Sequence, residues 1–159
     1  MNAEQLIIAS AEAAARVVGT KDYARMTQVA LTLTGQQLER YVRQADRPGF
    51  IAPVDVEEGG KDRDGALLAL PDRAVIAWTV GTFRPKNYEV EVPAAAIVSL
   101  ERGERPPTRW ARQREVLQIT TADRTWSLVL PDVLDGGQSI VPWLQGMLRG
   151  AVEPVFERD

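Results

Sequence analysis

The stretch Gly65-Ala-Leu-Leu-Ala-Leu-Pro-Asp-Arg-Ala-Val-Ile-Ala-Trp-Thr-Val-Gly81 decides the fold. Two short apolar runs, 66–70 and 73–80, flank Pro71-Asp72, a pair that favours a tight reversal. In the second run Val75, Ala77 and Thr79 alternate with Ile76, Trp78 and Val80, the period of a strand. A β-hairpin is therefore expected at the centre of the chain.

Downstream the same grammar repeats. Tyr88, Val90 and Val92 alternate with Glu89 and Glu91, which predicts a strand with one wet face. Residues 97–100 read as a further strand. Residues 101–114 are charged, carry Pro106-Pro107, and read as a long loop, or as a loop plus the start of a strand. The runs 115–121 and 124–130 form a second hairpin across Ala122-Asp123. In 138–150, Ile140, Trp143, Leu144, Met147 and Leu148 recur at helical spacing, predicting a closing helix.

Upstream the period changes. Ile7, Ala11, Ala14 and Val18 form one stripe of a helix over 3–18, stopped at Gly19. Residues 22–33 fit either a helix or a strand, with helix favoured. Thr34 with Gln37 has capping-box spacing and opens a helix over 35–46, with Leu38, Tyr41, Val42 and Ala45 along its apolar side. Residues 50–56, interrupted by Pro53, read as an edge strand or connector. The charged, glycine-rich 57–65 reads as a mobile linker. The expected organisation is a helical extension over 1–47, a connector over 48–64, a β domain over 65–151 and a tail over 152–159. The fold class expected is α+β: an antiparallel barrel or sandwich capped by a C-terminal helix.

Composition narrows the function. The chain has 159 residues, 45% of them hydrophobic, enough for a real core. Its net charge of -3 offers no global basic field for nucleic acid. Cysteine and histidine are both absent, which removes thiolate metal sites, disulfides and every hydrolase built on a histidine base. No apolar run reaches the roughly 18 to 20 residues of a membrane-spanning helix. The N-terminus has no positive flank before its apolar patch, so a cytoplasmic location is expected. No glycine motif matches a phosphate or dinucleotide loop, and the acidic run from Asp55 to Asp64 misses calcium-loop spacing. No catalytic, cofactor-binding or metal-ligating residue is assigned.

The runs GALLALPDRAVIAWTVG, YEVEVPAAAIVSLERGE, EVLQITTADRTWSLVLP and IVPWLQGML together resemble the pleckstrin-homology-like superfamily, with bacterial pleckstrin-homology and GRAM-like domains nearest. The resemblance covers about residues 65–150. It implies a β-barrel plugged by the final helix, on a fold that hosts lipid, peptide and protein binding alike.

Two constellations remain as binding candidates. Arg102, Arg105, Arg109 and Arg112, with Arg114, surround Trp110, the pairing of residue types that dominates protein interfaces. The bland reading is a salt-bridged loop, since Glu101, Glu104 and Glu115 lie among them. Phe83, Arg84 and Lys86 form a basic tip with an aromatic, suited to anionic lipid headgroups or merely to water. The first set, together with the apolar faces of the N-terminal helices, points to a non-catalytic module that engages a protein partner or a second copy. The second set makes a peripheral membrane contact the alternative.

Overall fold

The computed structural model describes residues 50–70, 72–81, 83–110 and 113–130, together with Gln5, Ile8, Ala9, Glu12, Arg40 and Tyr41. Seven strands carry the architecture: β1 Phe50–Glu58, β2 Lys61–Leu70, β3 Arg73–Val80, β4 Lys86–Pro93, β5 Ser99–Arg105, β6 Arg114–Thr120 and β7 Thr125–Val129. They form one sheet in the order β4-β3-β2-β1-β7-β6-β5, with every pairing antiparallel. A one-turn 3-10 helix, Ala94–Ala96, leads from β4 towards β5.

This architecture corrects the α+β expectation. The described residues make a mostly-β fold, and no α-helical element is delimited among them. Gln5, Ile8, Ala9, Glu12, Arg40 and Tyr41 have helical backbone. The expected capping helix over 138–150, with Trp143, and the expected element over 22–33 lie outside the described residues. Trp78 from β3 and Trp126 from β7, strands separated by β2 and β1 in the sheet order, meet with ring centroids 5.5 Å apart. Among the described residues the core packs strand against strand.

The second correction concerns 48–64. The stretch expected as connector and mobile linker supplies β1 and the start of β2, paired continuously from Phe50↔Ala69 to Glu58↔Lys61. Gly59 and Gly60 turn the hairpin with φ of 59° and 79°. A two-residue turn of this hand needs positive φ at both positions, which glycine adopts without steric penalty. Nor is β1 an edge, for it sits between β2 and β7. Pro53 is tolerated because β7 pairs with β1 only at Asp55 and Val56, so no ladder bond is lost at the proline nitrogen.

The inner face collects Ala52, Val54, Val56, Leu67, Ala69, Ala74, Ile76, Trp78, Leu100, Leu117, Ile119, Trp126 and Leu128 into one apolar cluster. Trp78 lies opposite Gly65 in the register. A Cβ on Gly65 would stand 2.3 Å from the Ala77 carbonyl oxygen and 2.9 Å from a Val56 methyl, so only glycine fits that rung. The outer face of β2 and β3 is buried as well, through Ala66, Leu68, Val75 and Ala77. Burial on both faces explains why residues 66–70 and 74–78 are continuously apolar and not alternating.

Tyr41 is buried at the outer side of β3 and β4. Arg40 lies 4.8 Å and Arg73 5.4 Å from its ring centroid. Arg40 Nη2 donates to the Tyr41 hydroxyl and to Glu89 Oε1, each at 2.8 Å, and Arg73 pairs with Glu91. Residues 40 and 41 are thus fastened to the sheet by stacked cations and carboxylates.

Candidate docking site

The loop between β5 and β6 carries Trp110, and the strands at its base explain how it is held. Arg105 ends β5 and reaches the β1–β2 hairpin, where Nη1 bonds Asp62 and Nη2 bonds Glu57 at 3.2 Å. These two carboxylates lie directly opposite one another in the register, as do Asp55 and Asp64. Like charges in facing positions repel, and Arg105 neutralises one such pair. The Asp62 hydrogen bond in particular raises the Arg105 guanidinium above its usual range, although partial burial works against the charge. A raised basic group keeps its stabilising contribution below its ordinary value and loses it only as pH climbs through the folded value. The clamp therefore keeps its positive member throughout the neutral range.

On the other side of the loop, Arg114 opens β6 and donates from Nε to the Leu130 carbonyl at 2.9 Å, with Nη2 on the same oxygen. Arg102 pairs with Glu115 and Glu104, and Gln113 donates to Glu104 at 2.6 Å. The expected arginine cluster therefore divides. Arg102, Arg105 and Arg114 each bond other groups of the sheet. Arg112 lies outside the described residues.

What projects beyond these ties is Trp110, 89% exposed, with the Arg109 guanidinium 5.6 Å from its ring centroid. The Trp110 backbone N–H donates to the Thr108 hydroxyl at 3.3 Å, which shapes the tip. An indole so placed offers a large rigid apolar plane and a cation beside it.

The β3–β4 loop presents the second candidate. Phe83 is 98% exposed, and Arg84 and Lys86 beside it are exposed too. Gly81, with φ of 105°, turns the chain into this loop. Phe83 and Trp110 belong to different loops, so the two candidate surfaces are distinct in the chain. Of the remaining tryptophans expected in the core, Trp78 and Trp126 are buried.

Sequence reasoning missed Glu57 and Asp62, the partners of Arg105, which stand 48 and 43 residues away from it. No local spacing signals such a pair. Among the described residues no cluster of acidic side chains has the geometry to hold a metal ion. Nor is any helix among them long and apolar enough to cross a membrane.

No family model matches the chain, and no curated protein matches it. Among solved structures, the hSac2 domain from human phosphoinositide phosphatase Sac2 is similar, with a TM-score of 0.46 and 14% sequence identity. The match covers 76% of this chain and 81% of that one. No functional argument passes across a likeness of this size.

Proposed function

We propose that the protein is a non-catalytic, cytoplasmic docking module that engages a protein partner or a second copy through Trp110, with Arg109 as the adjoining cation. The observation that carries this reading is the near-complete exposure of Trp110 at the end of a loop tied at both sides. A side chain of this size turned to water forgoes the burial that elsewhere stabilises the fold by about 1.5 to 3 kcal/mol. A partner that covers it recovers that free energy, and a tip tied at its base loses little entropy when it docks. Tryptophan and arginine supply the largest share of interface free energies for the same reason. Arg102 and Arg105, the other expected contact residues described, carry ion pairs at the base of the loop.

The test is a photo-crosslinking amino acid placed at position 110 in cells of origin, with a second at exposed position 123 in the β6–β7 turn as control. Discrete adducts from position 110 that are absent from position 123 are expected, and sedimentation velocity then separates a foreign partner from a second copy. Equal, diffuse labelling at the two positions would remove Trp110 as an anchor.

A second reading rests on Phe83, the most exposed of the large hydrophobic side chains described, with Arg84 and Lys86 in the same loop. An aromatic flanked by cations suits the interface of an anionic bilayer, although each cation near the surface contributes only about 1 kcal/mol. Co-sedimentation with phosphatidylglycerol vesicles tests it. Binding that falls with salt and is lost in F83A/R84E supports a membrane contact, and binding indifferent to both removes it.

A further inference from the structure

The two edges of the sheet are chemically unlike. Among the described residues β4 pairs only with β3 and β5 only with β6, so each leaves a row of backbone N–H and C=O groups turned outward. Such an edge accepts a further strand unless something blunts it. β4 is blunted. A pairing with its own copy centred on Glu89 or Val90 sets carboxylate against carboxylate, because Glu89 and Glu91 share one face. Its last residue, Pro93, has no N–H to give, and Glu89 is already bonded to Arg40 at 2.8 Å.

β5 is the reverse. Its run Glu101-Arg-Gly-Glu-Arg105 complements itself in charge when read backwards about Gly103. In an antiparallel pairing centred there, Glu101 faces Arg105 of the second copy and Arg102 faces Glu104 of the second copy. A two-fold axis repeats both contacts. Opposite charges in facing positions stabilise a pairing, and like charges oppose it. Moving the centre to Arg102 sets arginine on arginine, and moving it to Glu104 sets glutamate on glutamate. The matched register is thus penalised on either side. Facing positions here are of the same parity, so the inner face of one sheet continues into the inner face of the other.

Further observations fall on the same strand. Gly103 is not among the glycines with positive φ, and a Cβ there would meet nothing nearer than 3.9 Å, so its own chain does not demand glycine. Glycine weakens a strand interior and marks places where another backbone comes close. On a two-fold axis it also spares the one position that must face itself. Glu101 is exposed on one face of β5, and Arg102 and Glu104 are exposed on the other. Val98 is 70% exposed just before the strand, and Trp110 is 89% exposed in the loop after it. Antiparallel pairing brings the start of one strand to the end of the other, so Val98 of each copy comes beside the loop that carries Trp110 of the other.

The geometry points to a two-fold dimer built edge to edge through β5, centred on Gly103, which extends the sheet across two copies of the chain. Main-chain hydrogen bonds supply the association, and the charges select the register, since Arg102 and Arg105 already share carboxylates of their own sheet. This dimer rests on the docking function only in naming the second copy as the partner of Trp110. The strand pairing itself needs no indole.

The test is sedimentation equilibrium of the full chain from about 5 to 500 µM, on the parent, E101R/E104R, R102E/R105E, W110A and an equimolar mixture of the two charge variants. The parent is expected to dimerise and each charge variant to dissociate about tenfold more readily or beyond. The mixture is expected to recover a dimer by pairing unlike chains, a rescue that no folding defect mimics. A second readout is independent of the charges. G103C gives the chain its sole cysteine, and mild oxidation is expected to link it into a dimer, whereas D123C, in the exposed β6–β7 turn, stays monomeric. A parent monomeric at every concentration, a dimer that survives E101R/E104R, or G103C linking no faster than D123C overturns the proposal. A dimer lost only in W110A overturns it too and leaves the docking function standing. A monomeric parent whose position 110 still cross-links a foreign protein likewise sinks the edge pairing and not the docking function.

Discussion

The β2–β3 hairpin and the β5–β6 hairpin are joined in one sheet, yet they are held by different physics. β2 and β3 are buried on both faces from Ala66 to Leu70 and from Ala74 to Trp78. Their turn is a tight one, and they need no charge to stay in register. β5 buries Leu100 alone along its length, and its remaining residues are exposed or half-buried. It is fixed by Arg102 to Glu115 and by Arg105 to Glu57 and Asp62. The difference teaches where stability and recognition are separated: the apolar hairpin sets the fold, and the charged one carries a tip whose loss the fold barely registers.

The largest effect that can break this comparison is Gly65→Val. The new Cβ meets the Ala77 carbonyl oxygen, a backbone atom that cannot yield without disturbing the β2–β3 ladder. A loss of about 3 kcal/mol or more is expected in urea denaturation. A loss below about 1 kcal/mol would mean that the rung is not closed as described. Leu117→Ala comes next, at about 2 to 5 kcal/mol, because Leu117 is fully buried on the inner face, opposite Leu128 in the β6–β7 register. That value sharpens the contrast by showing that the charged hairpin owes its stability to β6, not to β5.

Much of the apolar half was legible in the sequence. Alternation at Val75–Val80 and Tyr88–Val92 marked β3 and β4, and Ala122-Asp123 marked the β6–β7 turn. The β1–β2 hairpin was not legible, because Asp55, Glu57, Asp62 and Asp64 put a carboxylate at every second position around two glycines. That composition is the signature of a solvated linker, and what makes it a sheet is the pairing with distant strands and with Arg105. Residues 101–105 failed in the same way, for their charges are satisfied across strands and not along the chain. The α+β expectation extended helical periodicity at both ends into the fold class, whereas the described core packs strand against strand, with Trp78 against Trp126. At the candidate site the exposed Trp110 was readable from its charged, proline-bearing surroundings. Which arginines stood beside it and which were ties was a matter of three-dimensional register alone.

Arg105→Ala lies in the middle of the range. It removes two ion pairs whose members are about one-third to one-half exposed, each worth about 0.2 to 1 kcal/mol, and leaves Glu57 facing Asp62 without a neutralising cation. A total near 1 kcal/mol is expected in denaturation at low ionic strength. The difference from the parent chain should shrink in about 1 M salt, where the screening length falls to about 3 Å. A salt-independent loss would assign the effect to packing of the arginine stem.

Trp110→Ala is expected to have the smallest effect on stability and the largest on docking. The indole buries almost nothing in the isolated chain, so its removal should leave denaturation within about 0.5 kcal/mol of the parent, while any complex it anchors weakens by about 2 kcal/mol or more. The two measurements must be made on the same preparation, since a variant that weakens docking by loosening the sheet would mimic an anchor. Arg105→Ala supplies that control, for it unties the loop base and keeps the indole. If binding falls equally in both variants, the position of the loop matters as much as the ring it carries. If it falls only in Trp110→Ala, the indole itself is the contact, and the ties beneath it serve the fold alone.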